Sequence, residues 1–540
     1  MTRLIAILAA LVLGACGQRS AAPPPTPVFK VLATSDLRDA EPLAAMIEQA
    51  TGVRFRFSFG GTMESTEAVL TGTTDAAAAW FANAKYLLSD PQGQARVKLQ
   101  EKIMFSPIAV GVSRSAAARL GWSDPTQRVT WRTIADAARA GKLGFALSNP
   151  ATSNQGFMAL LGVVAASTGK TDGLGAADVD RGAIADFIKG YKLPGDNSSY
   201  LAEQFILRQG DELNAFINYE SWLLSLNQGG KLREALTLVY PSEGIATADY
   251  PFMLLDEARR DDHLKVVAYL KSATAQEWLA RQTLRRAAHP EVASATADLF
   301  PGKRLLVELP FSPDRALADG LIDAYLNEFR RPIASVFVID TSGSMREHGR
   351  QAQLVRALHY IAGADASLTG RLARLTDRER LWLLPFAEAP RPMSLFELPA
   401  AAARAHGVQM RDDSAAKREV LAAVRGYADA LVMTGGTALY DSVLGALAHL
   451  GAERRRTPGY QYSVVALTDG ENTAGRDLQR FEQAYLQLPE TARSIPVFMV
   501  LFGDAKEAEL RTLVKLTGGR VFDARRTPLY SVFKDIRGYQ

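Results

Sequence analysis

Apolar and polar positions alternate in blocks that predict a succession of strands and helices. Residues 28–34 form a short, mostly apolar run typical of a strand, and Leu43, Met46 and Ile47 then fall on one face of a helix. In residues 53–59 apolar and polar positions alternate strictly, which predicts a second strand. Repeated strand–turn–helix units are typical of an α/β fold with a largely parallel sheet.

A second α/β segment begins near Pro332. The residues before it have helical periodicity, with Leu317 and Leu321 on one face, and residues 333–339 are apolar except for Ser335. Such a run is typical of a central parallel strand buried on both faces. Further strands are predicted at residues 381–386, 462–467, 495–502 and 521–522. We therefore divide the folded chain into domains at residues 28–330 and 331–540.

The stretch at residues 399–429 is rich in alanine and arginine and has helical periodicity. It lies between predicted strands of the second domain, so we interpret it as an insertion in that domain. It could line a partner-binding face or only add bulk, and we favour bulk.

The amino terminus has the pattern of a secretory signal. Arg3 precedes an apolar run at residues 4–13, which is too short to span a bilayer, and Leu13-Gly14-Ala15-Cys16 follows. This ending resembles the lipobox of bacterial lipoproteins. The resemblance implies cleavage of residues 1–15, lipidation of Cys16, and a membrane-anchored protein in the cell envelope that faces the periplasm or exterior. An ordinary signal peptide with a coincidental cysteine is the alternative.

The amino-acid composition excludes several classes of function. The 540 residues are 47% hydrophobic and 22% charged, with a formal net charge of +4, which fits soluble globular domains and gives no basic surface for nucleic acid. Cys16 is the only cysteine, so no intrachain disulfide can form. The proline-rich residues 16–27 predict an extended spacer. No nucleophile motif or phosphate-binding loop is present, so we do not expect an enzyme.

Oxygen-bearing side chains follow the predicted strands of the second domain. Asp340, Ser342 and Ser344 come directly after the strand at 333–339, Thr437 opens a helix, and Asp469 follows the strand at 462–467. Loops at the carboxyl ends of strands meet at one edge of an open α/β sheet. Carboxylate and hydroxyl oxygens suit a hard cation, so we predict a site for Mg²⁺, or else Mn²⁺ or Ca²⁺.

These residues resemble the metal-ion-dependent adhesion site of the von Willebrand factor A family. The resemblance covers about residues 332–540 and implies a doubly wound, mostly parallel, Rossmann-like domain. It also implies that all five side chains hold the metal, which then accepts an acidic residue of a partner protein.

Residues 28–330 resemble the type 2 periplasmic solute-binding proteins, in which two α/β lobes enclose a ligand. Residues 103–112 are interpreted as the crossing into the second lobe and residues 240–244 as the return. The resemblance rests on polar loops at strand ends, and the side chains and backbone expected to contact solute are those of Ser35, Gly61, Thr62, Thr152, Ser153 and Glu220.

Such loops can present hydroxyls and helix N-terminal N–H groups to an anion, although each hydroxyl taken alone could simply cap its helix. The expected ligand is a small polar solute or oxyanion, and Glu220 argues against a highly charged anion unless that anion is protonated. We therefore expect a lipid-anchored envelope protein that binds solute in its first domain and a partner protein through the metal in its second. The alternative is the solute-binding component of a transport system in which the second domain is accessory.

Overall fold

A computed structural model describes residues 27–124, 126–170, 173–301, 308–309, 314–401, 406–503, 507–525 and 527–540. The signal sequence, Cys16 and most of the proline-rich spacer lie outside these ranges, so the predictions for them stand as predictions. Within the described ranges, no helix is both long enough and apolar enough to cross a membrane.

The strands of the first domain are β1 (Phe29–Thr34), β2 (Phe55–Gly60), β3 (Ala78–Trp80), β4 (Leu99–Lys102), β5 (Met104–Ser113), β6 (Phe145–Ser148), β7 (Tyr191–Gly195), β8 (Ala215–Tyr219), β9 (Leu236–Val239), β10 (Thr247–Ala248), β11 (Pro251–Leu254) and β12 (Arg286–Ala287). Its helices are α1 (Leu43–Thr51), α2 (Thr62–Thr71), α3 (Lys85–Leu88), α4 (Pro91–Arg96), α5 (Arg114–Leu120), α6 (Trp131–Arg139), α7 (Asn154–Thr168), α8 (Arg181–Lys189), α9 (Ser198–Arg208), α10 (Glu220–Gln228), α11 (Arg260–Leu270), α12 (Ala273–Thr283), α13 (Pro290–Ala295) and α14 (Arg315–Ala324).

These elements form two lobes, each built on its own sheet. The sheet of lobe 1 has the order β2-β1-β3-β11-β4, and that of lobe 2 has the order β10-β5-β8-β6-β7, with β9 and β12 also paired to β5. Strand β1 has its inward residues Phe29, Val31 and Ala33 fully buried. The alternation in the sequence therefore places one face of this strand against the lobe core.

The chain passes between the sheets of the two lobes three times, and the last passage separates β11 in lobe 1 from β12, which pairs with β5 in lobe 2. The chain first crosses at Ile103, between β4 in lobe 1 and β5 in lobe 2. This position lies within the segment predicted to be the first crossing. The return separates β10 in lobe 2 from β11 in lobe 1, at residues 249–250. The return predicted at residues 240–244 was therefore placed too early, because the polar turn at Pro241 lies within lobe 2, just before β10.

The strands of the second domain are β13 (Ile333–Asp340), β14 (Arg380–Phe386), β15 (Ser394–Glu397), β16 (Gln461–Thr468), β17 (Val497–Leu501) and β18 (Arg520–Asp523). Its helices are α15 (Arg350–His359), α16 (Leu368–Ala373), α17 (Ala415–Asp429), α18 (Leu439–Arg456), α19 (Leu478–Leu486), α20 (Glu490–Arg493), α21 (Glu507–Thr517) and α22 (Leu529–Tyr539).

The second sheet is doubly wound, with the order β15-β14-β13-β16-β17-β18. All pairings are parallel except that of the edge strand β15 with β14. Every residue of β13 is buried, as a central strand covered on both faces requires. Side chains of α15, α17 and α22 form a core on one face, and those of α18, α19 and α21 form a core on the other.

The insertion at residues 399–429 is part of the packing, contrary to its interpretation as bulk. Leu421 and Val424 of α17 are buried in the core of the second domain. The segment before α17 contacts lobe 2, since the N–H of Val408 donates to the carbonyl of Ala176 at 2.8 Å and Arg181 donates to the carbonyl of Gly407 at 3.0 Å. The insertion therefore fixes the second domain against the first.

Candidate functional site

A cavity of about 440 Å³ lies between the lobes, where loops leave the ends of their strands. Five of the six residues predicted to contact solute line it, namely Ser35, Gly61, Thr62, Thr152 and Ser153. Strands β1 and β2 are parallel neighbours in lobe 1, and β6 and β7 are parallel neighbours in lobe 2. Because parallel strands end at the same edge, each pair delivers its loops to one side of the cavity.

Two helices begin at the cavity without a side-chain cap. Helix α2 follows Gly61, which has no side chain to cap it. Helix α7 follows Ser153, whose side chain makes no capping hydrogen bond. The hydroxyl of Ser153 instead lies 2.8 Å from that of Ser148. Simple N-capping therefore does not account for Ser153, and the first-turn N–H groups of both helices can serve a ligand.

Carboxyl groups also face the cavity. Burial raises the pKa of Asp36, although Arg285 opposes the shift, and the Oδ2 atom of Asp36 makes no hydrogen bond of normal geometry to any described residue. Burial likewise raises the pKa of Asp196, whose Oδ1 accepts a hydrogen bond from Thr152 at 2.7 Å. These carboxyls can accept hydrogen bonds from hydroxyl or amine groups of a solute.

Buried side chains hold the lining residues in place. Arg285 is buried and donates to Asp39 at 2.7 Å and to the backbone carbonyl of Asp36 at 2.6 Å, which fixes the turn that follows β1. In lobe 2 the Asn154 amide donates to the Tyr219 hydroxyl at 2.7 Å. That bond uses the Tyr219 oxygen as an acceptor and leaves its proton available to donate.

Sequence reasoning missed part of the lining. The run Asp196-Asn197-Ser198-Ser199-Tyr200 follows β7 and opens α9, and all five residues line the cavity. A polar run between an apolar strand and an amphipathic helix is the same signal that located the other loops, so this one could have been found. Arg520 also lines the cavity, but it belongs to the second domain and no local pattern indicates this.

The structure places Glu220 outside the cavity lining. Its carboxylate is fully buried and accepts two hydrogen bonds from Arg286, both at 2.7 Å, and one from the Tyr240 hydroxyl. The prediction that it contacts solute is therefore corrected: this carboxylate is engaged in an ion pair within lobe 2. A partner 66 positions away cannot be read from the sequence around Glu220.

The residues predicted to bind metal meet at the carboxyl edge of the second sheet. The Ser342 and Ser344 hydroxyl oxygens lie 3.0 Å apart, and the Ser344 hydroxyl donates to Asp469 Oδ1 at 2.9 Å. Asp340 accepts hydrogen bonds from the Ser342 N–H at 2.8 Å and the Thr468 hydroxyl at 2.9 Å. Four of the five predicted side chains therefore belong to one connected cluster.

The loop containing Thr437 lies beside this cluster. The Gly343 N–H donates to the Gly435 carbonyl at 2.9 Å, which joins the first loop to the second. Thr437 is buried, and its own N–H donates to the Thr473 hydroxyl at 2.9 Å. The three loops therefore converge, two of them from the carboxyl ends of β13 and β16 and the third from the start of α18.

The donor set is compatible with a hard cation. Burial raises the pKa of Asp340 to about 6, and the nearby charge of Asp469 adds to the shift. A cation beside both carboxylates would offset the free-energy cost of burying their negative charges close together. The described residues contain no cluster of three or more His, Cys, Asp or Glu residues suited to a metal, so hydroxyls would have to complete the coordination. Arg350 donates to Asp469 Oδ2 at 2.8 Å and leaves Oδ1 facing Ser344.

Comparison with known proteins identifies the class of the first domain. Residues 29–285 match the family described as bacterial extracellular solute-binding protein. This part of the chain is therefore a periplasmic solute-binding protein domain, in agreement with its two lobes and the cavity between them. A search of curated proteins found no match to the chain.

Several solved structures are similar to the chain over about half of its length. The sulfate-binding protein SubI from Mycobacterium tuberculosis is 17% identical, with a TM-score of 0.38, over 51% of this chain and 92% of its own. The periplasmic binding protein AfuA from Actinobacillus pleuropneumoniae is 13% identical, with a TM-score of 0.44, over 56% and 98%. The ferric binding protein from Campylobacter jejuni is 11% identical, with a TM-score of 0.41, over 55% and 97%.

Proposed function

We propose that this protein is a bacterial envelope receptor that binds a small oxyanion or polar solute between the lobes of its first domain. The observation that supports this most directly is the cavity itself, which is lined by hydroxyls and by the uncapped starts of α2 and α7. Hydroxyls and oriented N–H groups bind an oxyanion without a dense cluster of lysines and arginines.

The family match favours the transport alternative over a purely adhesive role. In this proposal the first domain captures the solute and delivers it to a permease, and the second domain has an accessory function. The lipid on Cys16, which lies outside the described residues, would keep the receptor at the membrane. Solute uptake in a strain that lacks the protein tests the transport role, because a sensing or adhesion protein would leave uptake unchanged.

Thermal unfolding of the mature chain tests solute binding directly. Sulfate, inorganic phosphate, sugar phosphates, citrate and neutral sugars are the probes, and a solute at 100 times its Kd should stabilise the folded protein by about 2.7 kcal/mol. We expect the triple variant Ser35→Ala, Thr62→Ala and Ser153→Ala to lose most of this response.

A triple variant that removes hydroxyls outside the cavity lining, Thr71→Ala, Ser115→Ala and Ser167→Ala, serves as the control. If both triple variants respond to the solute as the wild type does, the proposed site is wrong. If no solute stabilises the wild type, the receptor function fails.

A second candidate function belongs to the second domain. The connected cluster of Asp340, Ser342, Ser344 and Asp469 favours a metal-dependent protein-binding site like that of the von Willebrand factor A family. With Thr437 nearby, these residues would hold Mg²⁺ or a similar ion, and the bound ion would supply a coordination position for a partner carboxylate. The partner protein would then be recognised through an acidic residue.

A further inference from the structure

The cavity between the lobes has a third wall that comes from the second domain. Gly519 and Arg520, at the start of β18, line the cavity together with loops of both lobes. Arg38, on the turn after β1, is the other arginine among the lining residues. Positively charged side chains therefore face the cavity from lobe 1 and from the second domain.

The position of Arg520 is fixed by contacts that also involve lobe 2. Its guanidinium donates to the Tyr539 hydroxyl and lies 5.4 Å from the centre of the Tyr539 ring and 5.6 Å from that of Phe522. The same Tyr539 hydroxyl accepts a hydrogen bond from the Asn197 side chain at 2.7 Å. Asn197 itself lines the cavity, so Arg520 is joined through one hydroxyl to the lobe 2 wall.

Helix α22 holds the second domain across both lobes. Lys534 donates to Glu64 of α2 in lobe 1 at 2.8 Å. About one turn further on, the Gly538 carbonyl accepts from Asn149 of lobe 2 at 3.4 Å, and the Tyr539 ring packs edge-on against Tyr200 at 4.8 Å. Arg520 therefore belongs to a domain that is packed against both lobes. This packing, together with the contacts of its own side chain, places Arg520 at the cavity.

The charges that face the cavity indicate the chemistry of its ligand. Arg38 and Arg520 can bind an anionic group, while Asp36, Asp196 and Glu203 can accept hydrogen bonds from hydroxyl or amine groups. A bare, fully ionised anion would be repelled by these carboxylates. A hydrogen phosphate, or a phosphate ester of a polyol, has both an anionic group and hydrogen-bond donors.

We propose that Arg520 of the second domain contacts the solute and selects for an anionic group, so that the binding site is complete only when both domains are present. This inference rests on the proposed receptor function and deepens it. The second domain then takes part in solute recognition directly. This role is separate from any binding at the carboxyl edge of its sheet, where the proposed metal site lies.

Calorimetric titration of the full mature chain with inorganic phosphate near pH 7 tests the proposal. Arg520→Gln should weaken phosphate binding roughly tenfold or more, because a charge-assisted hydrogen bond is lost. Arg525→Gln is the matched control, since Arg525 lies in the same domain, pairs with Asp523 and Glu507, and does not line the cavity. Its affinity should stay within about twofold of the wild type.

Arg520→Lys separates solute contact from domain docking. A lysine retains the positive charge, so this variant should recover part of the affinity that Arg520→Gln loses. A loss that lysine does not recover at all would assign the effect to docking and overturn the proposal. Equal affinity in the wild type and Arg520→Gln would also overturn it, with the receptor function intact.

Two outcomes for the wild type distinguish this inference from the proposed function. If the protein binds a neutral solute and neither phosphate nor a phosphate ester, the receptor function stands and the role of Arg520 is wrong. If no solute of any class binds, the receptor function itself fails and the role of Arg520 fails with it.

Discussion

The carboxylate of Glu67, on α2 of lobe 1, lies 2.6 Å from the hydroxyl of Thr369 in the second domain. It also accepts the backbone N–H groups of Leu368 at 2.9 Å and Thr369 at 3.2 Å. A negative charge at the start of α16 satisfies N–H groups that have no partner within the helix. Helix α2, which begins at the cavity, is therefore bonded to the second domain as well.

Glu67→Ala should weaken the docking of the two domains. Three hydrogen bonds to a carboxylate are lost, so we expect the free energy of unfolding to fall by about 1–3 kcal/mol in urea denaturation. Glu48→Ala is a suitable control, because the carboxylate of that glutamate is exposed and lies 4.0 Å from Arg56. Equal effects of the two substitutions would contradict the role of Glu67.

Glu220→Ala should destabilise lobe 2 without removing a solute contact. The substitution leaves Arg286 without its buried partner, which costs about 3–5 kcal/mol in comparable pairs. Chemical denaturation measures the loss, and titration of the remaining folded protein should give a solute affinity close to that of the wild type. A variant of normal stability that no longer binds solute would return Glu220 to the binding site.

Asp323 should make the protein less stable as the pH rises from about 4 to 6. Burial raises its pKa to about 6 in the folded state, and its Oδ2 atom is buried with no hydrogen-bond partner in the described structure. Between the unfolded and folded pKa values the folded state binds more protons, so its stability is highest below the unfolded value and falls as the pH rises through 6.

Asp323→Asn should therefore be more stable relative to wild type at pH 7 than at pH 4, by up to about 3 kcal/mol. Denaturant unfolding at several pH values measures this difference. Asp211→Asn is the control, because the Asp211 side chain is 97% exposed. A pH-independent difference between wild type and Asp323→Asn would exclude the effect.

Asp469→Ala should lower the affinity for Mg²⁺ and Mn²⁺ in calorimetry of the full mature chain. Ser342→Ala should have a milder effect, because it removes a neutral donor. The Tm must be recorded alongside, since Asp469→Ala also deprives Arg350 of a partner at 2.8 Å. Asp412→Ala, an exposed aspartate outside the three loops, is the control. The metal site is wrong if the wild type binds neither ion or if Asp469→Ala binds them equally well.

Cys16→Ser should abolish lipidation and release the protein from the membrane fraction, or leave its signal sequence uncleaved. The reason is chemical, because Cys16 supplies the only thiol in the chain. Labelling with a radioactive fatty acid, followed by fractionation, tests the anchor. A wild-type protein that takes up no label and fractionates as soluble would refute it.

The sequence by itself determined the local elements and the order of the loops. Strands β1, β2, β13 and β16 were all predicted, with ends that differ by no more than two residues from those observed. This succeeded because burial of one or both faces of a strand imposes a pattern within a few residues. Loops at strand ends follow from these elements, which is why five of the six predicted solute-site residues line the cavity.

The tertiary structure alone decided which distant groups meet. Glu67 and Thr369 are 302 positions apart, and Arg520 reaches the cavity because the second domain, through α22 among other contacts, is docked on both lobes. The pairing of Glu220 with Arg286, the return crossing after β10 and the packing of the 399–429 segment have the same origin. Periodicity encodes which face of an element is buried, but an ion pair or a domain contact depends on the relative position of whole elements, and no short stretch of sequence specifies that position.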